Sequence, residues 1–215
     1  MTQADAAVLM DRMYRLQRHI YDPTRKYYLL GRDRMLAGVD APQGGRVLEV
    51  GCGTGRNLIA LARRRPDLRL EGLDASAEML KSAGSKLVAA GLAGQVRLRQ
   101  ALAEEVVVEA GDEPYDAILF SYSLSMIPTW RPAIDRALTA LKPGGALHVV
   151  DFWDQAELPG WFRAVLVRWL RLFHVEHRPA VLRHFRALEG QGRGTVELEG
   201  IARRYAYRLV MRKGG

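Results

Sequence analysis

The stretch Val47–Gly55, "VLEVGCGTG", decides how the rest of the chain is read. Four apolar or acidic residues run into three glycines at alternate positions, Gly51, Gly53 and Gly55. Glycines in such a place let the backbone lie against a ligand that a Cβ would push away. A glycine-rich turn between a strand and a helix, at the carboxyl end of a parallel sheet, is a ligand site. Two phosphate-binding templates fit poorly. The dinucleotide fingerprint is spaced G-x-G-x-x-G, and the Gly-Lys-Ser/Thr ending of a phosphate loop is absent.

Outward from this turn the chain alternates. "RVLEV" (46–50) predicts a buried strand and "GRNLIALARRR" (55–65) a helix. "LRLEGLD", "VRLRQA", "YDAILFSYSL" and "GGALHVVDFW" predict further strands, with helices over "AEMLKSAGSKLVAAG" and "WRPAIDRALTAL" between them. This β–α alternation predicts an α/β fold: a doubly wound, mainly parallel, seven-stranded sheet with helices on both faces. "WFRAVLVRWLRLF" (161–173) predicts another helix, and "TVELEG" and "YAYRLVMR" an antiparallel pair at the sheet edge. Before the first strand, residues 4–20 predict an amphipathic helix. Val8, Leu9, Met13, Leu16 and Ile20 recur at three- and four-residue steps beside Arg12, Arg15 and Arg18. Asp22-Pro23 interrupts it, and a second helix is predicted over 24–37. The expected organisation is an N-terminal amphipathic helical cap (1–38) and one globular unit (39–215).

Composition narrows the class. Hydrophobic content of 48% fits a globular protein. The single cysteine, Cys52, excludes an internal disulfide and a cysteine-only metal site. Charged residues throughout the first twenty positions leave no signal-peptide core, and no apolar run reaches bilayer length, so a cytoplasmic location is expected. The net charge of +8 is unevenly placed. Residues 37–159 carry thirteen Arg/Lys against sixteen Asp/Glu, whereas residues 160–215 carry twelve against four. Such basic surface attracts phosphate, on nucleic acid or on lipid.

"LEVGCGTG" followed by "LEGLDAS" (70–76) resembles the first two motifs of class I S-adenosylmethionine-dependent methyltransferases, and "ALKPGGALHVVDF" (140–152) resembles that family's entry into strand five. The resemblance implies a Rossmann-like methyltransferase fold and S-adenosyl-L-methionine as cofactor, with S-adenosyl-L-homocysteine as product and no metal. It places Gly51, Cys52, Gly53 and Gly55 against the methionyl part. Asp74, followed by Ala75 and Ser76, accepts the ribose hydroxyls. Glu49 holds the first turn or reaches the ammonium through water. Met79 is either adenine wall or plain core, and Ser121 offers its carbonyl to the methionyl amine. The family often has an acid after strand three; here "RQALAEE" has Leu102, so a backbone group at Leu102 or Ala103 is expected to serve.

The flanks "RMYRLQRHIYDPTRKYYLLGRDRML" (12–36) and "DFWDQAELPGWFRAVLVRWLRLFHVEHRPAVLRHF" (151–185) are similar to the bacterial phospholipid N-methyltransferases of the Rhodobacter type. They are equally close to the enzymes that trimethylate diacylglyceryl-homoserine to betaine lipid. The resemblance implies stepwise methylation of phosphatidylethanolamine to phosphatidylcholine by a monomer. Its partners are then the phospholipid substrate and an anionic membrane surface on the inner face of the cytoplasmic membrane. Methyl transfer to an amine needs an unprotonated nitrogen and positioning. Hydroxyls and aromatic faces suit the amine and the growing cation. Tyr21, Tyr27, Tyr122 and His177 are the candidate catalytic groups. Tyr14, Arg25, His148 and Arg178 are candidates for holding the substrate, the arginines because their forks match phosphate oxygens. A quinone-type C-methyltransferase is the rival enzyme. Nucleic acid is not expected as partner, because the arginines are interleaved with Leu, Val, Trp and Phe on helices and "SYSLS" (121–125) stands where amino-methylating DNA enzymes carry a proline-aromatic motif.

Overall fold

The computed structural model describes residues 29–172 and 178–215. The predicted helix over 4–20 and the readings of Tyr14, Tyr21, Arg25, Tyr27 and His177 lie outside them. In chain order the elements are α1 (Arg32–Ala37), β1 (Arg46–Val50), α2 (Arg56–Arg64), β2 (Arg69–Asp74), α3 (Ala77–Ala89) and β3 (Val96–Gln100). They continue with β4 (Tyr115–Ser121), α4 (Trp130–Ala140), β5 (Leu141–Phe152), α5 (Gly160–Leu172), α6 (Pro179–Gly190), β6 (Gly194–Ile201) and β7 (Ala206–Lys213).

The seven strands form one sheet in the order β3-β2-β1-β4-β5-β7-β6. β1 to β5 pair in parallel, and β7 runs antiparallel to both β5 and β6. The expected doubly wound, mainly parallel seven-stranded sheet is therefore present, with its antiparallel hairpin at one edge. β1 is buried along its whole length because helices cover both sides of it, which is why "RVLEV" shows no alternation. On one face Met35 and Leu36 of α1, Leu58 and Leu61 of α2 and Leu87 of α3 pack over Val47, Leu70, Ala117, Leu119 and Val150. On the other, Ile134, Ala137 and Leu138 of α4 and Val181, Phe185 and Leu188 of α6 pack over Leu48, Ile118, Phe120, Val149 and Leu209.

Of the helix expected over 24–37, residues 24–28 lie outside the described residues, and the described part is helical over Arg32–Ala37, preceded by Gly31, which is left-handed with φ 82°. Its Met35 and Leu36 are core residues, so the described end of the 1–38 segment packs as part of the globular unit. α6 was not expected as a separate helix. It starts with Pro179 in its first turn, where a missing N–H costs nothing. Among the described residues no helix is long and apolar enough to cross a membrane.

Phe185 is fully buried between α6 and the sheet. Phe185→Ala is expected to lower unfolding free energy by about 3–5 kcal/mol. Urea denaturation measures it, and a loss near zero would mean that α6 does not close this face.

Candidate functional site

The site lies at the carboxyl ends of β1, β2, β4 and β5. Gly51, Gly53 and Gly55 all have positive φ, 73°, 55° and 75°, so this turn is open to glycine and strained for other residues. At Gly51 the approach is also steric: a Cβ would stand 2.7 Å from Cβ of Ser123, whose hydroxyl donates to the Val50 carbonyl at 3.0 Å. Gly51 and Cys52 both donate to the Leu73 carbonyl, at 2.8 and 3.0 Å, which ties the turn to the end of β2.

Asp74 organises the turn. One carboxylate oxygen accepts from the Gly53 N–H at 2.7 Å, and the other from the Ser76 N–H at 2.9 Å. Ser76 in turn caps α3, its hydroxyl accepting from Met79 N–H at 3.4 Å. A carboxylate has about four acceptor positions, the chemistry that ribose hydroxyls require of a partner. Ala75 points its carbonyl at the Gln100 side chain, 3.2 Å away. Met79 is buried at the head of α3, a place compatible with either of its readings.

Glu49 is the least satisfied acid in the site. It is buried; Oε1 accepts from Asn57 Nδ2 at 2.6 Å, and Oε2 has no hydrogen-bond partner among the described residues. Burial pushes its carboxyl up to about 7, against the Asn57 hydrogen bond and the nearby Arg32, with Asp74 adding to the rise. Ser121, the last residue of β4, also has a buried hydroxyl oxygen without a partner. These two orphaned atoms fit a cofactor that brings an ammonium group to this end of the sheet. Asn57 belongs to no spaced motif, although it is the second residue of the helix that follows the glycines.

Other residues land differently. The Cys52 side chain turns away from the turn and lies against Gly72 of β2, so only its backbone faces the site; burial pushes the thiol up. The Leu102 N–H is taken by Glu105 Oε2 at 2.8 Å, which removes it as an adenine donor. Ala103 opens the short 3-10 turn Ala103–Glu105, where first-turn N–H groups lack helical acceptors, and remains the backbone candidate. Tyr122 follows β4 in a left-handed conformation, φ 54°, and its hydroxyl donates to the Leu30 carbonyl at 2.6 Å. Burial, then Asp151, raise its pKa well above the ordinary phenol value. A phenol bound and shifted in this way is a poor proton acceptor, so the catalytic reading of Tyr122 is corrected to a structural anchor. His148 is corrected as well. It sits in mid-strand opposite Leu119 and Val210, roughly 10 Å of strand short of Asp151 at the site end. Burial and the charges of Arg208 and Arg212 push it down to about 4, so it is a neutral sheet residue.

Arg178 does reach the site end. It donates to the Ile127 carbonyl in the loop after β4, and its charge acts on Asp151. Asp151 itself, absent from the sequence candidates, accepts from Ser125 N–H and Phe152 N–H at 2.9 and 2.8 Å. Burial raises it to about 6, the hydrogen bonds opposing.

Asp74→Ala is expected to weaken S-adenosylmethionine binding by about 1.5–3 kcal/mol for each ribose hydrogen bond lost. Calorimetry showing unchanged affinity would remove the ribose assignment. Glu49→Gln makes a two-signed test. Because burial raises the folded pKa from 4.5 to about 7, the charged form opposes folding, and wild-type stability falls as pH rises through that window. The ligand-free variant is therefore expected to be more stable than wild type at pH 8, by up to about 3 kcal/mol, with the gain vanishing near pH 4.5. The same variant is expected to bind the cofactor less tightly. Thermal melts across pH, with and without cofactor, read both signs.

Residues 47–145 match a family model described as a methyltransferase domain. Among curated relatives, the phosphatidylethanolamine N-methyltransferase of Cereibacter sphaeroides is 33% identical over 128 residues, 60% of this chain and 60% of that one. The trans-aconitate 2-methyltransferase of Variovorax paradoxus is 33% identical over 125 residues, 58% and 45% of the two chains. The ubiquinone/menaquinone biosynthesis C-methyltransferase UbiE of Geotalea daltonii is 28% identical over 109 residues, 50% and 46%. The alignments thus span 45% to 60% of the length of these relatives. Among solved structures, the S-adenosylmethionine-dependent methyltransferase SibL superposes with TM-score 0.69 at 25% identity, covering 91% of this chain and 58% of that one. A putative S-adenosyl-L-methionine-dependent methyltransferase from Methanococcus maripaludis shares the fold with TM-score 0.66 at 20% identity, over 98% and 93%. The glycine turn, Asp74 and the orphaned Glu49 oxygen at the carboxyl edge of this sheet all fall within residues 47–145, the part that matches a methyltransferase domain, and the methyl donor that the match and the SibL likeness support is S-adenosyl-L-methionine.

Proposed function

We propose that the chain methylates the amine of phosphatidylethanolamine, and of its mono- and dimethyl forms, at an anionic membrane surface, giving phosphatidylcholine. The observation that carries this reading is the outer face of α5. Trp161, Ala164, Val165 and Arg168 recur at steps of three and four and are all exposed, Trp161 by 73% and Val165 by 63%. On the inner side Leu166 packs against the core. A helix that shows tryptophan and valine to the outside, beside arginine, has the pattern of one lying in a headgroup layer. It follows the strand that carries Asp151 at the site end. The Cereibacter sphaeroides relative bears the name of this activity and supports the reading.

The cofactor supplies an electrophilic sulfonium methyl. An amine accepting that methyl would have to arrive unprotonated or give up its proton. The chain has to orient the amine in line and exclude water. Asp74 and Glu49 are assigned to holding the cofactor. Arg178, with Arg25, is assigned to the lipid phosphate. Tyr14, Tyr21, Tyr27 and His177 are assigned to orienting the amine and taking its proton.

Labelled S-adenosylmethionine and vesicles of anionic lipid with phosphatidylethanolamine test the assignment. Mono-, di- and trimethylated lipid is the expected product. Label on diacylglyceryl-homoserine alone would move the acceptor to betaine lipid. Label on a quinone alone would favour the activity named for the Geotalea daltonii relative and defeat the lipid reading. For the surface, Trp161→Glu with Val165→Glu is expected to weaken binding to anionic vesicles at least about tenfold, since two apolar side chains leave the interface. Flotation reads this; equal binding would shift docking to the predicted helix over 4–20.

A further inference from the structure

The hairpin that joins β6 to β7 turns on residues that its geometry disfavours. The Tyr205 N–H donates to the Ala202 carbonyl at 3.1 Å, which makes Arg203 and Arg204 the two central residues of the turn. Both have positive φ, 55° and 58°, and Ala202 before them has φ 48°. Hairpins with left-handed central residues favour Asn-Gly or Asp-Gly there, because a Cβ crowds the backbone in that region. Two arginines in this place hold a strain that the favoured pair would relieve, and such strain clusters where side chains serve a function.

Arg204 is used within the chain. It pairs with Asp154 and lies 4.6 Å over the Trp153 ring. Arg203 is exposed and meets no hydrogen-bond or ion-pair partner among the described residues. The turn begins just past Ala206, which pairs with Phe152 of β5 and Ile201 of β6, so it rises from the sheet edge that carries Asp151. It is also locked to the approach to α5. The Arg204 carbonyl accepts from Gln155 N–H and the Tyr205 carbonyl from Trp153 N–H, both at 3.0 Å. α5 begins at Gly160, five residues past Gln155, a reach of at most about 17 Å. The link is shorter than that, since Leu158 N–H returns to the Gln155 carbonyl at 3.1 Å.

We infer that the Arg203 turn is a second contact with an anionic lipid surface, set beside the outer face of α5, and that the two together turn the carboxyl edge of the sheet toward the headgroups. The inference rests on the membrane reading above, and its test separates the two. The occupant follows from the surroundings of the arginine. Trp161 and Val165 are exposed on α5 with Arg163 and Arg168 among them, and residues 160–215 hold twelve Arg/Lys against four Asp/Glu. Guanidinium groups next to exposed tryptophan and valine match lipid phosphates above acyl chains. A nucleic-acid backbone would leave those apolar side chains in water.

Flotation of the full chain on vesicles of phosphatidylglycerol and phosphatidylcholine, read against phosphatidylcholine alone, tests the inference together with thermal melts. Arg203→Asn replaces the arginine with a residue that accepts left-handed geometry. It is expected to melt at or above the wild-type temperature and to bind the anionic vesicles about fivefold more weakly, the share of one basic residue at an anionic leaflet. Arg203→Glu is expected to bind more weakly still, and Arg203→Lys to bind as wild type does. In about 1 M salt, where the Debye length falls to about 3 Å, wild type and Arg203→Asn are expected to bind alike. Equal low-salt binding by wild type, Arg203→Asn and Arg203→Glu overturns the inference and leaves docking to α5. Binding by Arg203→Lys as weak as that of Arg203→Asn overturns it too, because charge would then not be what the surface reads. So does weaker binding of a duplex RNA probe by Arg203→Asn with vesicle binding unchanged. Wild type that floats with neither vesicle overturns the membrane reading and this inference with it.

Discussion

Asp74 closes β2 with a carboxylate that accepts from backbone donors on two different loops, Gly53 of the glycine turn and Ser76 at the head of α3. Hydrogen bonds to a charged acceptor are the strong ones. This one acid therefore sets the height of the glycine turn over β1 and the point where α3 begins. The left-handed glycines follow from it: the Gly53 N–H reaches the carboxylate only if the chain reverses within a few residues of Val50, and Gly51 passes Ser123 at a distance no side chain tolerates. The fold's parallel core and the site's geometry thus meet at a single ionised group.

The parallel core was legible because its strands are buried on both faces and separated by helices, so apolar runs and glycine turns mark it without knowledge of packing. The glycine cradle and Asp74 were legible for the same reason, since spacing alone places them at one sheet edge. What local pattern could not reveal depends on partners distant in sequence. Tyr122 looks like a free catalytic phenol until the carbonyl of Leu30, ninety-two positions away, is seen to accept its hydrogen bond. His148 looks available until β7 pairs beside it. His184 bonds Asp135 at 3.0 Å and stacks edge-on with Trp130, joining α6 to α4 across forty-nine positions of sequence. Asp151 belongs to no spaced motif; burial alone distinguishes it.

The two ends of the sheet treat charge in opposite ways. At the amino end, Arg46 is enclosed by partners: its backbone N–H meets Asp116 at 2.8 Å, its guanidinium meets Asp112 at 2.8 Å, and it lies 4.6 Å over the Tyr115 ring. Glu71 beside it is shared with Arg99 at 3.1 Å. In that network each of these acids is met by an arginine of the chain. At the carboxyl end, Glu49 and Asp151 are both buried and both pushed upward in pKa, to about 7 and about 6. Keeping such acids ionised lowers the stability of the ligand-free fold, a cost that a network of the Arg46 kind would remove.

That asymmetry says why the acids persist where they do. A carboxylate satisfied by the protein has nothing left to offer a ligand, whereas one with a buried, unpartnered oxygen gains most when a cation arrives. Affinity for the cofactor is in this sense stability withheld from the empty protein and returned on binding.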